Sequence, residues 1–141
     1  MSQTAAETTM PLPVMESLAG EFYAFCKRGE LRFQRCSDCR AWRHVPREMC
    51  ALCGSWNWEW APSGGRGRVF TWTVVTRALH PAFQDSTPYA AVVVEMDEGV
   101  RVLSQVVDCP PEELVIDMPV EVCFEAVTAD VTLPKFRRSG A

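Results

Sequence analysis

Between Val14 and Arg28 the apolar residues Leu18, Phe22 and then Phe25 or Cys26 recur at the spacing of one helix face, which predicts an amphipathic helix over residues 14–30. Pro11 and Pro13 stand before it, Glu16 falls in its expected first turn, Lys27 and Arg28 in its last, and Gly29 is its stop signal. Its aromatic face, Phe22, Tyr23 and Phe25, is a candidate for contact with another protein, because a terminal helix outside two small modules has little core of its own to join. Leu31 to Arg35 then alternates apolar with polar and reads as a strand; Trp42 to Val45 returns alongside it until Pro46 interrupts. Further on, Trp56, Trp58 and Trp60 alternate with Asn57 and Glu59, which places three indoles on one face of a strand. Such a stripe either stacks nucleic-acid bases or forms the apolar floor that joins a small module to its neighbour. Few basic residues accompany it to hold phosphates, so the floor is the favoured reading.

After the break at Pro62-Ser63-Gly64-Gly65 the pattern changes to a series of strands: Gly67 to Arg77, Tyr89 to Met96, Val100 to Val107, Val120 to Val127 and Thr132 to Arg137. Asp97-Glu98-Gly99 predicts a hairpin turn between the second and third. Pro110 to Leu114 reads as the first turn of a short helix between the third and fourth, with prolines at its start and carboxylates where the helix dipole favours them. Five antiparallel strands, the first long, with a helical turn after the third, is the order of an OB-fold barrel. Alternation nominates Val92, Val94, Val102, Val120, Val122 and Phe124 for its interior, with Val69 or Phe70 from the first strand. The expected organisation is mainly β: a disordered tail over residues 1–13, the helix, a small metal-bearing module over 31–61 and a barrel over 65–138.

Cysteine spacing supplies the metal. Cys36-Ser37-Asp38-Cys39 and Cys50-Ala51-Leu52-Cys53 are two CxxC pairs separated by ten residues, the signature of a rubredoxin-like zinc ribbon in which two knuckles offer four thiolates to one tetrahedral ion. Such a site has no open position for water or substrate, so its zinc holds structure. Gly54 after the second pair can take positive φ, and Ser37-Asp38 bring turn-forming side chains to the first. The alternatives are two disulfides or four unrelated thiols. Residues 1–15 show neither a basic segment nor an apolar one of the kind that directs export, and no window approaches a membrane span, so the chain reads as soluble, cytoplasmic and thiol-retaining.

Charge adds one feature. The net charge of −4 conceals a basic cluster around the first knuckle, Lys27, Arg28, Arg32, Arg35, Arg40, Arg43 and Arg47, against Glu30 and Asp38. That cluster is either a solvated ribbon surface or a contact for an acidic partner. The acidic balance elsewhere argues against a general nucleic-acid binder; a single-stranded nucleic-acid module is the alternative function. Catalytic signals are sparse: there is no phosphate loop and no nucleophile elbow, and the histidines are His44 in the ribbon and His80 in the loop between the first two barrel strands. Cys123, flanked by Glu121 and Glu125 and facing away from Phe124, reads as a surface or partly covered thiol.

Several segments together resemble the zinc-ribbon and OB-fold family described as domain of unknown function thirty-five. They are Gly29-Glu30-Leu31 with Gln34-Arg35-Cys36, Cys50 to Ser55, Gly65 to Thr73 (GRGRVFTWT), His80-Pro81-Ala82-Phe83, Pro88-Tyr89, Glu95 to Gly99, and Thr132 to Phe136. Family members often carry tryptophan in the N-terminal helix where this chain has Tyr23. The resemblance implies an accessory subunit, not a free-standing enzyme, that pairs with a thiolase-superfamily partner. Such partners include lipid-transfer-like aldolases of steroid side-chain breakdown. It also implies that the barrel helps hold an acyl-CoA for the partner's chemistry. On that reading Arg66, Arg68 and Arg77, with His80, Pro81 and Phe83 of the loop, are the candidate contacts for CoA, arginine because its planar fork suits phosphate.

Overall fold

The computed structural model describes residues 10–140. The tail expected over residues 1–13 therefore falls largely outside the described residues, and Met10 to Val14 form no regular element. The helix α1 spans Leu18–Lys27, shorter at its start than the apolar pattern predicts. Ser17 is its N-cap, its Oγ accepting from the Gly20 amide, so the first-turn acid is Glu21 and Glu16 lies outside the helix.

A three-stranded antiparallel sheet follows, in the order β2-β1-β3, from β1 (Arg32–Cys36), β2 (Trp42–Arg43) and β3 (Trp58–Pro62). The returning strand is only two residues long because the chain leaves the ladder at His44 to form the loop that leads to the second knuckle. Five further strands form a curled antiparallel sheet: β4 (Arg66–Val75), β5 (Tyr89–Met96), β6 (Arg101–Ser104), β7 (Pro119–Ala126) and β8 (Thr132–Arg138), in the order β6-β5-β4-β7-β8. Its ends meet where residues 105–107 run parallel to β8: Phe136 donates its amide to Gln105 O at 2.9 Å, and Val107 donates to Phe136 O at 2.7 Å. This is the OB-fold order that the strand pattern predicts. The short helix after the third barrel strand is a single 3-10 turn, Pro111–Glu113.

A register shift in the β4–β5 ladder between Val69 and Thr71 decides which of two candidates enters the core. Val69 is fully buried, whereas Phe70 turns outward and lies under the guanidinium of Arg101, 3.8 Å from its ring centroid. Val92, Val94, Val102 and Val120 are buried as predicted. Val122 and Phe124 are half-buried and pack against that core.

The helix departs most from expectation. Phe22 and Cys26 are buried with Leu31 and Phe33 of the ribbon side and with Val69, Val120 and Phe136 of the barrel in one continuous cluster. Phe22 stacks on Phe33 at 6.3 Å and packs on His44 at 4.9 Å. The helix therefore has a core to join, because it fills the angle between two sheets too small to bury much surface separately. Phe22 belongs to that core and offers nothing to a partner; of the predicted aromatic face, Tyr23 and Phe25 remain half-exposed.

The tryptophan stripe is also partly broken. Trp56 precedes β3 and is 65% exposed, while Trp58 and Trp60 meet edge to face at 5.3 Å. Trp60 completes the floor by packing on Phe25 of α1 at 5.6 Å and donating its indole N–H to Glu21 at 3.4 Å. Three rings on one strand face, the platform for stacked bases, do not form.

Candidate functional site: a four-cysteine metal centre

The thiols of Cys36, Cys39, Cys50 and Cys53 all lie within 4.8 Å of one another, with Cys36 to Cys53 and Cys39 to Cys50 at 3.6 Å. Four sulfurs around zinc at about 2.3 Å stand about 3.8 Å apart in a regular tetrahedron, so the donor set fits that ion with little movement. No disulfide joins them.

The backbone builds each knuckle in the same way. The amide of Arg40 donates to Cys36 O and that of Gly54 to Cys50 O, and each of these residues, the one after its CxxC pair, takes positive φ: 67° at Arg40 and 77° at Gly54. Glycine makes the second turn legible in the sequence; arginine hides the first. The amide of Cys39, 3.4 Å from Cys36 Sγ, lowers that thiol to about 6, and the amide of Cys53 lowers Cys50 likewise. The backbone amides thus favour the thiolate at the first cysteine of each pair, while neighbouring sulfurs raise Cys53 to about 12 and Cys39 is raised as well. The two knuckles are also tied directly, Ser55 Oγ donating to the Asp38 carboxylate.

Gln34, 1% exposed, holds the segment between the knuckles. Its Nε2 donates to Arg47 O at 2.8 Å, and its Oε1 accepts from the Arg47 amide at 2.7 Å and from Arg43 Nε at 3.1 Å. Nothing in the alternation of β1 marks this glutamine as buried. The signal would have been its polar side chain opposite a loop whose backbone has no strand partner. Much of the basic cluster is likewise occupied: Arg28 and Arg32 pair with Glu30, Arg40 pairs with Glu59, and Arg35 lies over Trp42.

In the loop between β4 and β5, His80 caps a 3-10 turn, Pro81–Phe83, with its Nδ1 accepting from the Ala82 amide at 3.0 Å. An aromatic series runs from His80 to Phe83 to Tyr89, each step 6.0 Å. Tyr89 in turn lines a recess of about 230 Å³ where helix, ribbon and barrel meet, walled by Phe22, Tyr23, His44, Leu103 and Lys135. Burial pushes His44 down to about 4 and raises the Tyr23 hydroxyl.

The three candidate arginines do not converge. Arg68 is held by Glu95 at 2.6 Å and by Asp117 at 3.4 Å. Arg66 opens β4 and Arg77 lies just beyond its end, roughly 30 Å away at the usual rise of a strand, so no one phosphate group reaches both. Arg77 lies with His80, Pro81 and Phe83 in the loop. The thiols outside the ribbon, Cys26, Cys109 and Cys123, are raised by burial, Cys26 to about 12. Among the described residues no helix is long and apolar enough to cross a membrane.

Residues 24–59 match the family described as "ChsH2, rubredoxin-like zinc ribbon domain" and residues 60–125 match "ChsH2, C-terminal OB-fold domain". A relative in Methanocaldococcus jannaschii, named DUF35 domain-containing scaffold protein, is 35% identical over 68% of this chain and 68% of its own length. The chain belongs to the DUF35 family. The probable enoyl-CoA hydratase alpha subunit of Thermomonospora curvata is 33% identical over 90% of this chain, which spans only 39% of that relative's length. Among solved structures, one described as an Ltp2-ChsH2(DUF35) aldolase superposes with a TM-score of 0.81 at 32% identity, covering 90% of this chain and 98% of that one. The DUF35 assignment and the four-thiol cluster together make the metal centre that of a structural zinc ribbon.

Proposed function

We propose that this DUF35 protein is a non-catalytic accessory subunit that binds a thiolase-superfamily enzyme and helps it position an acyl-CoA. The observation that carries this reading is the chain-wide likeness to the DUF35 component of an Ltp2-ChsH2 aldolase, at a TM-score of 0.81 over 98% of that chain. The chemistry of the chain supports it. Closed tetrathiolate zinc has no position for substrate, and burial shifts the thiols outside the ribbon upward, away from the nucleophilic thiolate. His80 spends its Nδ1 on a backbone amide.

On this reading the loop carrying Arg77, His80, Pro81 and Phe83, with the recess beside Tyr89, takes the CoA thioester, and Arg68 serves the fold through Glu95 and Asp117. Arg77 makes no ion pair among the described residues, which leaves its guanidinium free for phosphate.

The test is affinity purification of the tagged protein from its own host with zinc quantified in the same sample, followed by acyl-CoA titration of the complex. A thiolase-superfamily protein at comparable abundance, and CoA affinity that falls with Arg77→Ala but not with Arg68→Ala, is the expected result. Recovery of the protein alone or with nucleic acid would overturn the subunit reading, and turnover of an acyl-CoA by this chain alone would overturn the non-catalytic one.

A further inference from the structure

The second zinc knuckle exposes apolar side chains that nothing among the described residues covers. Val45 is 58% exposed, Met49 46% and Leu52 81%, and all three line one groove of about 200 Å³ together with Trp42. Monomeric surfaces scatter large apolar residues singly; several gathered on one concave site mark a contact surface. The charged groups lining the groove, Arg43 and Arg47, are both cations. Arg43 is fixed in place by bonds to Gln34 Oε1 and Arg47 O, with its Nη1 buried, so the cation that the groove presents at its edge is the exposed Arg47. The groove is also preformed: Cys50, a zinc ligand, lies in its wall, and the Gln34 clamp holds the segment that carries Val45 and Arg47. A rigid apolar floor edged by the exposed cation Arg47 selects a segment that presents one or two large apolar side chains beside a carboxylate.

We infer that the face of the second knuckle, Val45, Met49 and Leu52 with Arg43 and Arg47, is the docking surface for an acidic, apolar segment of the thiolase-superfamily partner, in place of the helix face to which the sequence points. This rests on the accessory-subunit reading above. The helix is the weaker candidate because one of its three aromatics is taken by the core: Phe22 is 3% exposed.

The test uses the full chain and its purified thiolase-superfamily partner, with the dissociation constant measured for wild type, Leu52→Asp, Met49→Asp, Phe25→Ala and, as control, Val115→Asp at an exposed site before β7. Zinc content and thermal unfolding check that each variant is folded; Leu52 and Met49 are exposed enough for both aspartates to be tolerated. The expected result is at least about 30-fold weaker binding for each of the two knuckle variants, the loss typical of a central contact, with Phe25→Ala and Val115→Asp close to wild type and wild-type affinity falling as salt is raised. Unchanged affinity in both folded knuckle variants overturns the inference while leaving the subunit reading intact, as does a loss confined to Phe25→Ala. A wild-type protein that binds no thiolase-superfamily partner overturns both. Self-association abolished by Leu52→Asp would assign the groove to a second copy of the chain and overturn the inference too.

Discussion

Phe22 of the helix and His44 of the ribbon lie with ring centroids 4.9 Å apart, and the same imidazole meets Phe33 at 5.2 Å, so one neutral histidine sits between two buried aromatics. Burial holds its folded pKa at about 4, below the ordinary 6.5. The unfolded chain therefore takes up a proton that the folded chain refuses. The contribution of His44 is fully present above pH 6.5, falls through the window from 6.5 to 4 and is gone below it. Its size is on the order of 3 kcal/mol. Denaturant unfolding at pH 7.5 and 5 should show a loss in the wild type that is smaller in His44→Phe, the variant that keeps a ring there without a titrating group. Equal losses in both proteins would contradict this account.

Metal removal should be more damaging than any single packing change. Comparable structural sites supply roughly 10–16 kcal/mol of apparent binding energy, and neither knuckle is held by a hydrophobic interior of its own. Cys36→Ser and Cys53→Ser should lose zinc and the dispersion of the ribbon amide signals in NMR, and a strong chelator should reproduce the effect in the wild type. Full zinc content in either variant would count against tetrathiolate coordination.

Arg40 occupies the left-handed region at φ 67° at the position where the second knuckle has glycine. Replacing it by glycine removes a backbone cost of about 1 kcal/mol and gives up an exposed ion pair with Glu59 at 3.6 Å that is worth little. Arg40→Gly should raise stability, measured as a higher unfolding midpoint at unchanged denaturant slope; a lower midpoint would show that the pair with Glu59 outweighs the strain.

Gln34→Ala should cost about 1–3 kcal/mol, because it strands the amide of Arg47, whereas Arg47 O and the Arg43 guanidinium keep their bonds to each other. Faster amide exchange confined to residues 43–47 would locate the loss. Uniform acceleration across the chain would mean that the clamp supports the whole fold and not this loop.

What the sequence made legible was whatever depended on local spacing. The two CxxC pairs, the hairpin at Asp97 to Gly99 and the limits of β5 follow from residues close together in the chain. Less legible was whatever depended on a distant surface. Phe22 sits on an amphipathic helix with aromatic neighbours, a pattern equally suited to a partner and to its own core, and only the presence of Phe33 and Phe136 on facing sheets decides between them. Gln34 alternates with Phe33 as a solvent-facing residue would, yet both faces of β1 are covered. Arg66, Arg68 and Arg77 share one strand region by number, but ten residues of extended chain separate the first from the last. Arg40 shows no turn signal because the zinc knuckle, not the residue, imposes the left-handed backbone.

The shared core has a mechanical consequence. Val69, Val120 and Phe136 of the barrel belong to the same cluster as Phe33 of the ribbon and Phe22 of the helix, and Glu98 of the β5–β6 hairpin fastens the linker through Ser63 Oγ at 2.8 Å and the Gly64 amide at 3.0 Å. The joint between the sheets is therefore a welded bracket with no hinge in it. On the docking proposed above, a partner holding the zinc knuckle would set in the same act where the loop of Arg77 and His80 stands in space, and a change of angle at this joint would displace that loop without altering any of its residues.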